Sequence, residues 1–477
     1  MHHHRVATAA LLAWNFAAVT SFAVRGGSRN VRWEFTGSDH RRSNCRIWEQ
    51  ERLSATHRGE SHTECSQGPL RVGIAGAGAV AFGTASILSK NGHESILWSP
   101  SGKGTADLVS RDNGSGDEGP STVSSTGALR HEFDPEIASS AEELVKKSDV
   151  LIIALPANGH KQIFDALAPH LSSSSSDSSP AAAGAPPKKK HIIVSSHASF
   201  GALYLSQFLH QLGNHHHTIT SWGTTVCTAR RTSGTSVDIK TIRKSVDSSC
   251  LPEGDSASSL ELCERLFPDT EFRPREGLLA ITLSNLNPQN HLAIAMGNIS
   301  RMDKGEEWYQ FQNITPKIGG FLEALDKERL EIASALGLDV KTVYDHFSLS
   351  FHVPIPASGS LSEMCQNIYE KGNDVHGPTA ADSRYVTEDV PYGLAPVVAL
   401  GKLVGRPAVL HESGMRICDA MYGRNFSAEN DLLGAIGLET IGLDELGEAA
   451  RTGKLPGQRL LAGSRPLSPA HTHDVQG

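Results

Sequence analysis

The chain has 477 residues, 44 basic and 52 acidic side chains, a formal net charge of −8 and 39% hydrophobic residues. This length exceeds what one hydrophobic core usually organises, and the composition excludes a largely disordered chain, so we expect two domains with flanking segments. The acidic balance argues against nucleic acid as a partner, because a basic surface is needed to bind a phosphate backbone. The seven cysteines form no C-x-x-C pair, which favours free thiols over a zinc site or a disulfide framework.

Residues 1–69 have the pattern of a targeting presequence followed by a linker. An apolar run at 6–23 follows Arg5, and Val19 and Ser21 suit the −3 and −1 positions of a cleavage site. A membrane anchor is the alternative, but the run is short and interrupted by polar residues, so we expect no stable membrane insertion of the mature chain. The segment predicts import into an organelle, either plastid or mitochondrion, with the cytoplasm and the secretory pathway as alternatives.

Residues 70–275 are predicted to form an α/β Rossmann-like domain with a doubly wound, mostly parallel sheet. Short apolar runs alternate with amphipathic stretches, which is the pattern of strands joined by helices. The expected strands include 71–76, 94–99, 149–156 and 191–195, and the expected helices include 79–91 and 256–267. The low-complexity stretch 172–190 interrupts this domain, and we expect it to be a disordered insertion.

Residues 276–440 are predicted to form an all-helical second domain, since strand signals nearly vanish beyond 276. The expected helices have apolar residues at helical spacing, and they span 288–302, 318–337, 361–371 and 392–404. Residues 441–477 return to Gly, Pro, Ser and His and are predicted to form a loose C-terminal tail.

A glycine turn lies between the first predicted strand and the first predicted helix. Gly76, Gly78 and Ala81 follow the G-x-G-x-x-A pattern of dinucleotide sites. The first glycine permits the turn, the second lets a pyrophosphate approach the backbone, and the alanine keeps helix and strand close. Ala79 and Val80 complete this part of the cofactor site, where the positive helix end favours an anion. A tight turn without a ligand is the alternative.

The end of the second strand bears on the choice of cofactor. An NAD site usually has an Asp or Glu there for the ribose 2′-hydroxyl, whereas this chain has Ser99, Ser101 and Lys103. Two hydroxyls and a lysine suit a 2′-phosphate, so NADP(H) is favoured and NAD(H) is possible. Pro156, at the end of a later strand, is the last residue of the predicted cofactor site.

A histidine follows a helix-start signal in the second domain. Asn287 is predicted to cap this helix, with Pro288 in its first turn. Helical spacing then places His291 on one face with Asn287 and Asn298. The histidine is either a hydrogen-bonded structural residue or an acid/base group, since the ordinary pKa of an imidazole lies near neutral pH.

A second polar segment, RYVTEDVPYG at 384–393, also leads into a predicted helix. From the residues alone, Asp389 is either a capping residue or a functional carboxylate. Arg384 is either a solvated charge or the ligand of an anion.

Together these segments resemble the opine dehydrogenases, the octopine/nopaline dehydrogenase family. The resemblance rests on the glycine turn, the N-P-x-x-H…N segment at 287–298 and the R-Y-x-x-E-D-V-P-Y-G segment at 384–393, and it covers about 70–440. It implies a Rossmann-like domain that binds a nicotinamide cofactor and a helical domain like the C-terminal one of 6-phosphogluconate dehydrogenase. The implied reaction, an oxidoreduction at a CH–NH bond, is the reductive condensation of an α-keto acid, often pyruvate, with the amino group of an amino acid.

The resemblance also implies roles for individual residues. His291 would be the catalytic acid/base and Asp389 its orienting partner. Arg384 would bind a substrate carboxylate, and Asn298 and Asn287 would contribute to substrate binding.

Two alternative functions stay open. A keto-acid reductase like ketopantoate reductase shares the domain plan but relies on a catalytic lysine, where this chain has His291 and Asn298. A non-catalytic NADP-sensing module would need only the glycine turn. No metal is expected, because His215–His217 cannot all face one ion and are predicted to form a solvated loop.

Overall fold

The computed structural model describes residues 68–109, 122–172, 189–196 and 199–458. The predicted presequence, its cleavage site and the predicted organelle import therefore concern residues outside these ranges, as does most of the predicted disordered insertion. From Gly68 onward the chain forms one compact unit. None of the helices in the described part is long and apolar enough to cross a bilayer.

The first part of this unit combines strands with helices, as the sequence predicts. The strands are β1 Arg71–Ala75, β2 Glu94–Trp98, β3 Val123–Gly127, β4 His131–Phe133, β5 Glu136–Ile137, β6 Val150–Ile153, β7 His191–Val194, β8 Thr218–Trp222, β9 Cys227–Arg231, β10 Ser236–Ile242, β11 Ser245–Leu251 and β12 Glu271–Pro274. The helices are α1 Ala79–Lys90, α2 Ala141–Lys147, α3 His160–Ser172, α4 Gly201–Gln211 and α5 Ser256–Leu266.

A mixed, mostly parallel sheet of eight strands organises this region, which confirms the predicted fold class. Its order is β12-β11-β8-β7-β6-β1-β2-β5, and β11 is antiparallel to β8. The central strands read as continuous apolar runs because helices cover both faces of the sheet, and Ile74, Ile152 and Ile193 are fully buried. The parallel strands β1, β6 and β7 end at one edge, so the loops that follow them lie together.

A second, smaller sheet was not predicted. It has the order β4-β3-β10-β9 and packs against α1, where Gly83 leaves room for the sulfur of Cys227. The sequence shows only short strand-like runs in this region. Which of these strands pair with each other depends on their packing against α1, and local periodicity does not predict such packing.

The region after β12 is helical, as predicted. Its helices are α6 Gly277–Ser284, α7 Asn287–Asp303, α8 Pro316–Ala335, α9 Val343–Phe351, α10 Leu361–Glu370, α11 Arg384–Thr387, α12 Ala395–Leu403, α13 Val409–Tyr422, α14 Phe426–Glu429, α15 Asp431–Ile436 and α16 Leu443–Thr452, with a π-helical turn at Val390–Leu394. One buried apolar cluster continues from Phe164 and Leu203 beside the sheet to Leu278 and Leu292 in the helices. The predicted domain boundary at 275/276 stays a prediction, since this cluster crosses it.

Two sequence predictions about loops are wrong. The expected loose tail begins instead with α16, which buries Leu446 and Ala449 because its apolar residues share one face. His217 is not solvated: it is buried, and its Nδ1 accepts a hydrogen bond from the backbone N–H of Lys190 at 3.0 Å.

Candidate active site

The glycine turn has the geometry of a dinucleotide site. Gly76 has a φ of +131°, and a Cβ there would collide with the carbonyl oxygen of Ala154, just after β6. Gly78 stands at the N-terminal end of α1, and apart from its chain neighbours no described heavy atom lies within 4 Å of where its Cβ would be. The backbone thus requires the first glycine, and the second leaves open space at a helix end that favours an anion. These residues fit the pyrophosphate of a nicotinamide dinucleotide.

The other predicted residues at this edge differ in exposure. Ala81 is fully buried, as close packing of helix and strand requires, whereas Ala79 and Val80 are half-buried in the first turn of α1. Pro156 is exposed in the loop after β6, at the same edge of the sheet as the glycine turn. The structure therefore brings this proline to the side of the sheet where the other predicted cofactor residues lie.

The loop after β2 lies beside the glycine turn. A Cβ on Gly104 would lie 3.2 Å from the Ser99 hydroxyl oxygen and would also collide with the side chain of Ala77. Ser99 is half-buried, while Ser101 and Lys103 are exposed on the same loop. The stretch from Ser99 to Gly104 carries no carboxylate that would repel a 2′-phosphate.

Arg231, at the end of β9, is a residue of this site that the sequence did not indicate. Its Nη1 donates to the carbonyl oxygens of Ala77 and Gly104, both at 2.9 Å, and its guanidinium lies 4.2 Å from the ring centroid of Phe82. One side chain from the small sheet thus holds the two loops of the predicted cofactor site together. No local signal could have found it, because its role depends on the position of β9.

His291 and Asp389 are hydrogen-bonded to each other. His291 Nδ1 lies 2.7 Å from Asp389 Oδ2, and both side chains are largely buried. His291 lies in the first turns of α7, and Asp389 directly precedes the π-helical turn. That turn packs against the start of α7 because Gly393 leaves room for the ring of Pro288. The two motifs that the sequence singled out are therefore neighbours in space.

Tyr385 contacts the same imidazole from its face. The two rings are stacked, and the Tyr385 hydroxyl donates to Gln310 Oε1 at 2.6 Å. Burial raises the pKa of Tyr385 to about 12, and the negative charge of Asp389 acts in the same direction. The phenol is therefore a neutral support for the histidine at ordinary pH.

Arg384 pairs with Glu388 on the following turn. Arg384 Nε lies 3.2 Å from Glu388 Oε2, and the arginine side chain remains 63% exposed. Glu388 is buried, and burial raises its pKa. Its Oε1 accepts a hydrogen bond from the backbone N–H of Ala157 at 3.3 Å, which links the loop after β6 to this segment. The sequence motif contains Glu388, but nothing in the local pattern marked it as buried.

The two predicted asparagines do not join the His291–Asp389 pair. Asn298 is buried at a kink in α7, where its Nδ2 donates to the carbonyl oxygen of Ile294 at 3.0 Å. Asn287 is exposed and is the first residue of α7, so the prediction that it caps the helix is wrong. Leu286 occupies the cap position, while Asn285 Oδ1 accepts from the backbone N–H of Asn287 at 3.2 Å. The substrate roles of both asparagines stay predictions.

The described ranges contain no group of three His, Cys, Asp or Glu side chains placed to hold a metal ion.

Comparison with known proteins links this site to a family. Residues 274–422 match the family model described as "NAD/NADP octopine/nopaline dehydrogenase, alpha-helical domain". A curated opine dehydrogenase from Arthrobacter sp. (strain 1C) is 27% identical over 301 residues, which cover 62% of this chain and 76% of the relative. Residues 274–422, which match the family model, contain His291, Arg384 and Asp389.

Solved structures share the fold. An octopine dehydrogenase with NADH and L-arginine has a TM-score of 0.60 at 18% identity, covering 74% of this chain and 90% of the other. A yersinopine dehydrogenase with NADP+ bound has a TM-score of 0.54 at 13% identity, covering 80% of this chain and 98% of the other. The matched helical region, the curated relative and the common fold agree with the motifs and support a place for this chain in the opine dehydrogenase family.

Proposed function

We propose that this protein is an NAD(P)H-dependent opine dehydrogenase, which condenses a pyruvate-like α-keto acid with the amino group of an amino acid and reduces the resulting imine. The observation that carries the proposal is the buried hydrogen bond between His291 and Asp389, 98 positions apart in the chain. The solved octopine dehydrogenases were obtained with L-arginine and with pyruvate, which supports these two substrate classes.

The reaction requires proton transfer at the keto oxygen. Attack of an amine on the keto carbon gives a carbinolamine, which must lose water before reduction. Since His291 Nδ1 is bonded to Asp389, Nε2 is the ring nitrogen left to exchange a proton with the substrate. Asp389 selects this tautomer and stabilises the imidazolium ion, which makes His291 an effective acid.

A reduced nicotinamide, when bound, supplies the hydride that the imine carbon accepts. The part played by this chain is to hold the dinucleotide, with Gly76 and Gly78 at the pyrophosphate. Ser99, Ser101 and Lys103 favour NADP(H) over NAD(H), because they offer hydroxyls and a cation to a 2′-phosphate.

The substrates also need an anchor for their carboxylates. Arg384 offers an exposed guanidinium five residues before Asp389 in the chain, and a guanidinium binds a carboxylate through two parallel hydrogen bonds. We therefore assign a substrate carboxylate to Arg384.

One assay tests the proposal. Absorbance of NADPH or NADH is followed with keto acid alone, with amino acid alone and with both, using pyruvate, glyoxylate and 2-oxoglutarate against a panel of amino acids. Consumption only with both substrates is the expected result. Consumption with a keto acid alone would indicate a simple reductase, and tight cofactor binding without turnover in any mixture would indicate a sensing module.

A further inference from the structure

Glu388 is a buried carboxyl group that the mechanism above does not use. It exposes 7% of its surface and directly precedes Asp389. Because its Oε1 accepts a hydrogen bond from the N–H of Ala157, it bridges the loop after β6 and the segment that holds His291. Glu388 therefore lies between the cofactor edge of the sheet and the proposed acid/base pair.

The second carboxyl oxygen, Oε2, is buried and has no hydrogen-bond partner in the described structure. Arg384 Nε is 3.2 Å away, close enough for an ion pair but not aligned for a hydrogen bond. Buried polar atoms are almost always hydrogen-bonded, so an exception needs an explanation. An N–H donor of a bound molecule would satisfy this oxygen.

Arg384 and Glu388 together match the charges of an α-amino acid. The carboxylate and the amino group of such a molecule are attached to the same carbon, so a carboxylate on Arg384 brings the amino group within reach of Glu388. If Arg384 instead binds the carboxylate of the keto acid, the keto carbon lies near Glu388, and the nitrogen that attacks this carbon must also approach Glu388. An amino group therefore approaches Oε2 with either substrate on Arg384.

An amino acid at neutral pH carries an ammonium group, which has no lone pair with which to attack a carbonyl carbon. His291 serves to protonate the keto oxygen, so a second group is needed to accept the first ammonium proton. We propose that Glu388 is a catalytic residue whose Oε2 binds the ammonium group of the amino-acid substrate and takes its proton. This assignment rests on the proposed opine dehydrogenase reaction.

The proton transfers balance with this second group. The broken N–H bond leaves its electron pair on nitrogen, this pair forms the C–N bond, and the C=O π pair moves to oxygen. The oxygen takes a proton from His291, whose neutral ring then removes a second proton from nitrogen. The proton on Glu388 passes to the carbinolamine hydroxyl, which leaves as water and gives an iminium ion, the species that a bound reduced nicotinamide would reduce. Glu388 ends as the carboxylate with which it began.

The surroundings of Glu388 suit a proton acceptor. Burial raises its pKa and the charge of Asp389 adds to this, while Arg384, the N–H of Ala157 and His291 favour the ionised form. The net effect is a raised pKa, and a carboxylate with a raised pKa is a stronger base.

The variant Glu388→Gln tests the proposal, because it keeps an oxygen for the N–H of Ala157 but cannot take a proton. The measurement is kcat/KM for the amino acid between about pH 6 and pH 9.5, with keto acid and NAD(P)H saturating. The ratio of variant to unaltered enzyme isolates Glu388, because both proteins share the proton transfer from His291. This ratio should be about 1:100 near pH 7 and rise about tenfold per pH unit with the fraction of free amine.

A constant ratio between variant and enzyme across this range would overturn the proposal, since a structural role lowers activity without changing its pH dependence. Glu412→Gln is the matched control, because Glu412 pairs with Arg416 one helical turn away on α13, as Glu388 pairs with Arg384. Its profile should equal that of the unaltered enzyme.

Should Glu388→Gln not fold, the unaltered enzyme decides the question by calorimetry. The affinity for the amino acid, relative to its des-amino analogue, should rise as the pH increases through the pKa of Glu388. Equal pH dependence for the two ligands would overturn the role of Glu388. An enzyme that turns over no pair of keto acid and amino acid would overturn the proposed function as well, whereas an active enzyme with parallel profiles overturns the role of Glu388 alone.

Discussion

The phenol ring of Tyr385 lies flat against the imidazole of His291, with the ring centroids 3.6 Å apart and the planes 9° from parallel. Asp389 holds the edge of the same imidazole through Nδ1. The ring is thus held both in its plane and across its face by two residues of one short segment. This segment, 384–393, fixes the direction in which Nε2 points.

Removing the Tyr385 ring should reduce catalysis more than removing its hydroxyl. Tyr385→Phe keeps the stack and loses the hydrogen bond to Gln310, so kcat should fall no more than about threefold. Tyr385→Leu frees the imidazole and should lower kcat about tenfold, since a stacked aromatic pair contributes about 0.5–1.5 kcal/mol. Steady-state kinetics measures both, with NADPH affinity as the check on folding. Equal losses in the two variants would contradict a role for the stack.

His291 and Asp389 should act as one unit. His291→Ala should cost on the order of a hundredfold or more in turnover with cofactor affinity near normal, and Asp389→Asn should cost about 10²- to 10⁴-fold. The double variant should be scarcely slower than the slower single variant, because the carboxylate acts only through the imidazole. Full additivity in this double-mutant cycle would show that Asp389 has a separate role.

The two glycines of the turn should differ in their response to alanine. At Gly78 the added Cβ enters open space and φ is −82°, so Gly78→Ala should fold normally. The methyl group would fill the predicted pyrophosphate position, so NAD(P)H binding should weaken by about tenfold or more. At Gly76 the positive φ and the carbonyl of Ala154 oppose any side chain, so Gly76→Ala should also lower the melting temperature. Fluorescence titration and thermal unfolding separate the two effects. Normal cofactor affinity in Gly78→Ala would place the pyrophosphate elsewhere.

The loop after β2 should set the preference between cofactors. Lys103→Ala should raise the Kd for NADPH about tenfold and leave the Kd for NADH unchanged, because the proposed partner of the lysine is the 2′-phosphate, which NADH lacks. Ser99→Asp should act in the same direction and also improve NADH binding, since a carboxylate at this place accepts from the ribose 2′-hydroxyl. Parallel changes for both cofactors would show that this loop does not contact the 2′ position.

The parts of the site with local signals could be predicted from the sequence. The turn from Gly76 to Ala81 combines a strand, glycines and a helix within a few residues, and the mostly parallel sheet follows from alternating apolar runs. His291 and Asp389 are a different case, because each also fits a structural role when read alone. Their pairing was expected only from the family resemblance, since spacing does not relate residues 98 positions apart.

The parts that depend on packing could not be predicted. Arg231 reaches the loops of the predicted cofactor site from a strand of the small sheet, and Glu388 accepts a hydrogen bond from Ala157, which lies 231 positions earlier in the chain. The cap of α7 was misplaced for a local reason, since Asn287 is already the first residue of the helix and Asn285 accepts its N–H. Distant neighbours decide the first two outcomes and local backbone geometry decides the third, and neither is visible in residue types.

We expect His160 to make the protein less stable in acid. Burial lowers the pKa of His160 to about 4, against a smaller opposing effect of its hydrogen bond to the carbonyl oxygen of Leu155. The other ring nitrogen, Nδ1, is buried against Gly201 and has no hydrogen-bond partner among the described residues. A second proton on this ring would therefore be buried unsatisfied, next to the loop that carries Pro156 and Ala157.

The folded protein should accordingly lose stability as the pH falls from about 6.5 to about 4, because the unfolded chain takes up the proton first. This residue should contribute up to about 1.4 kcal/mol per pH unit in that window and nothing above it. His160→Gln retains a donor for the carbonyl oxygen of Leu155 and should reduce the slope of unfolding free energy against pH. The slope should stay above zero, because burial also lowers the pKa values of His191 and His346 to about 4. Urea unfolding at several pH values measures the slope, with exposed His215→Gln as the control. An unchanged slope in His160→Gln would mean that the imidazole is protonated in the folded protein without cost.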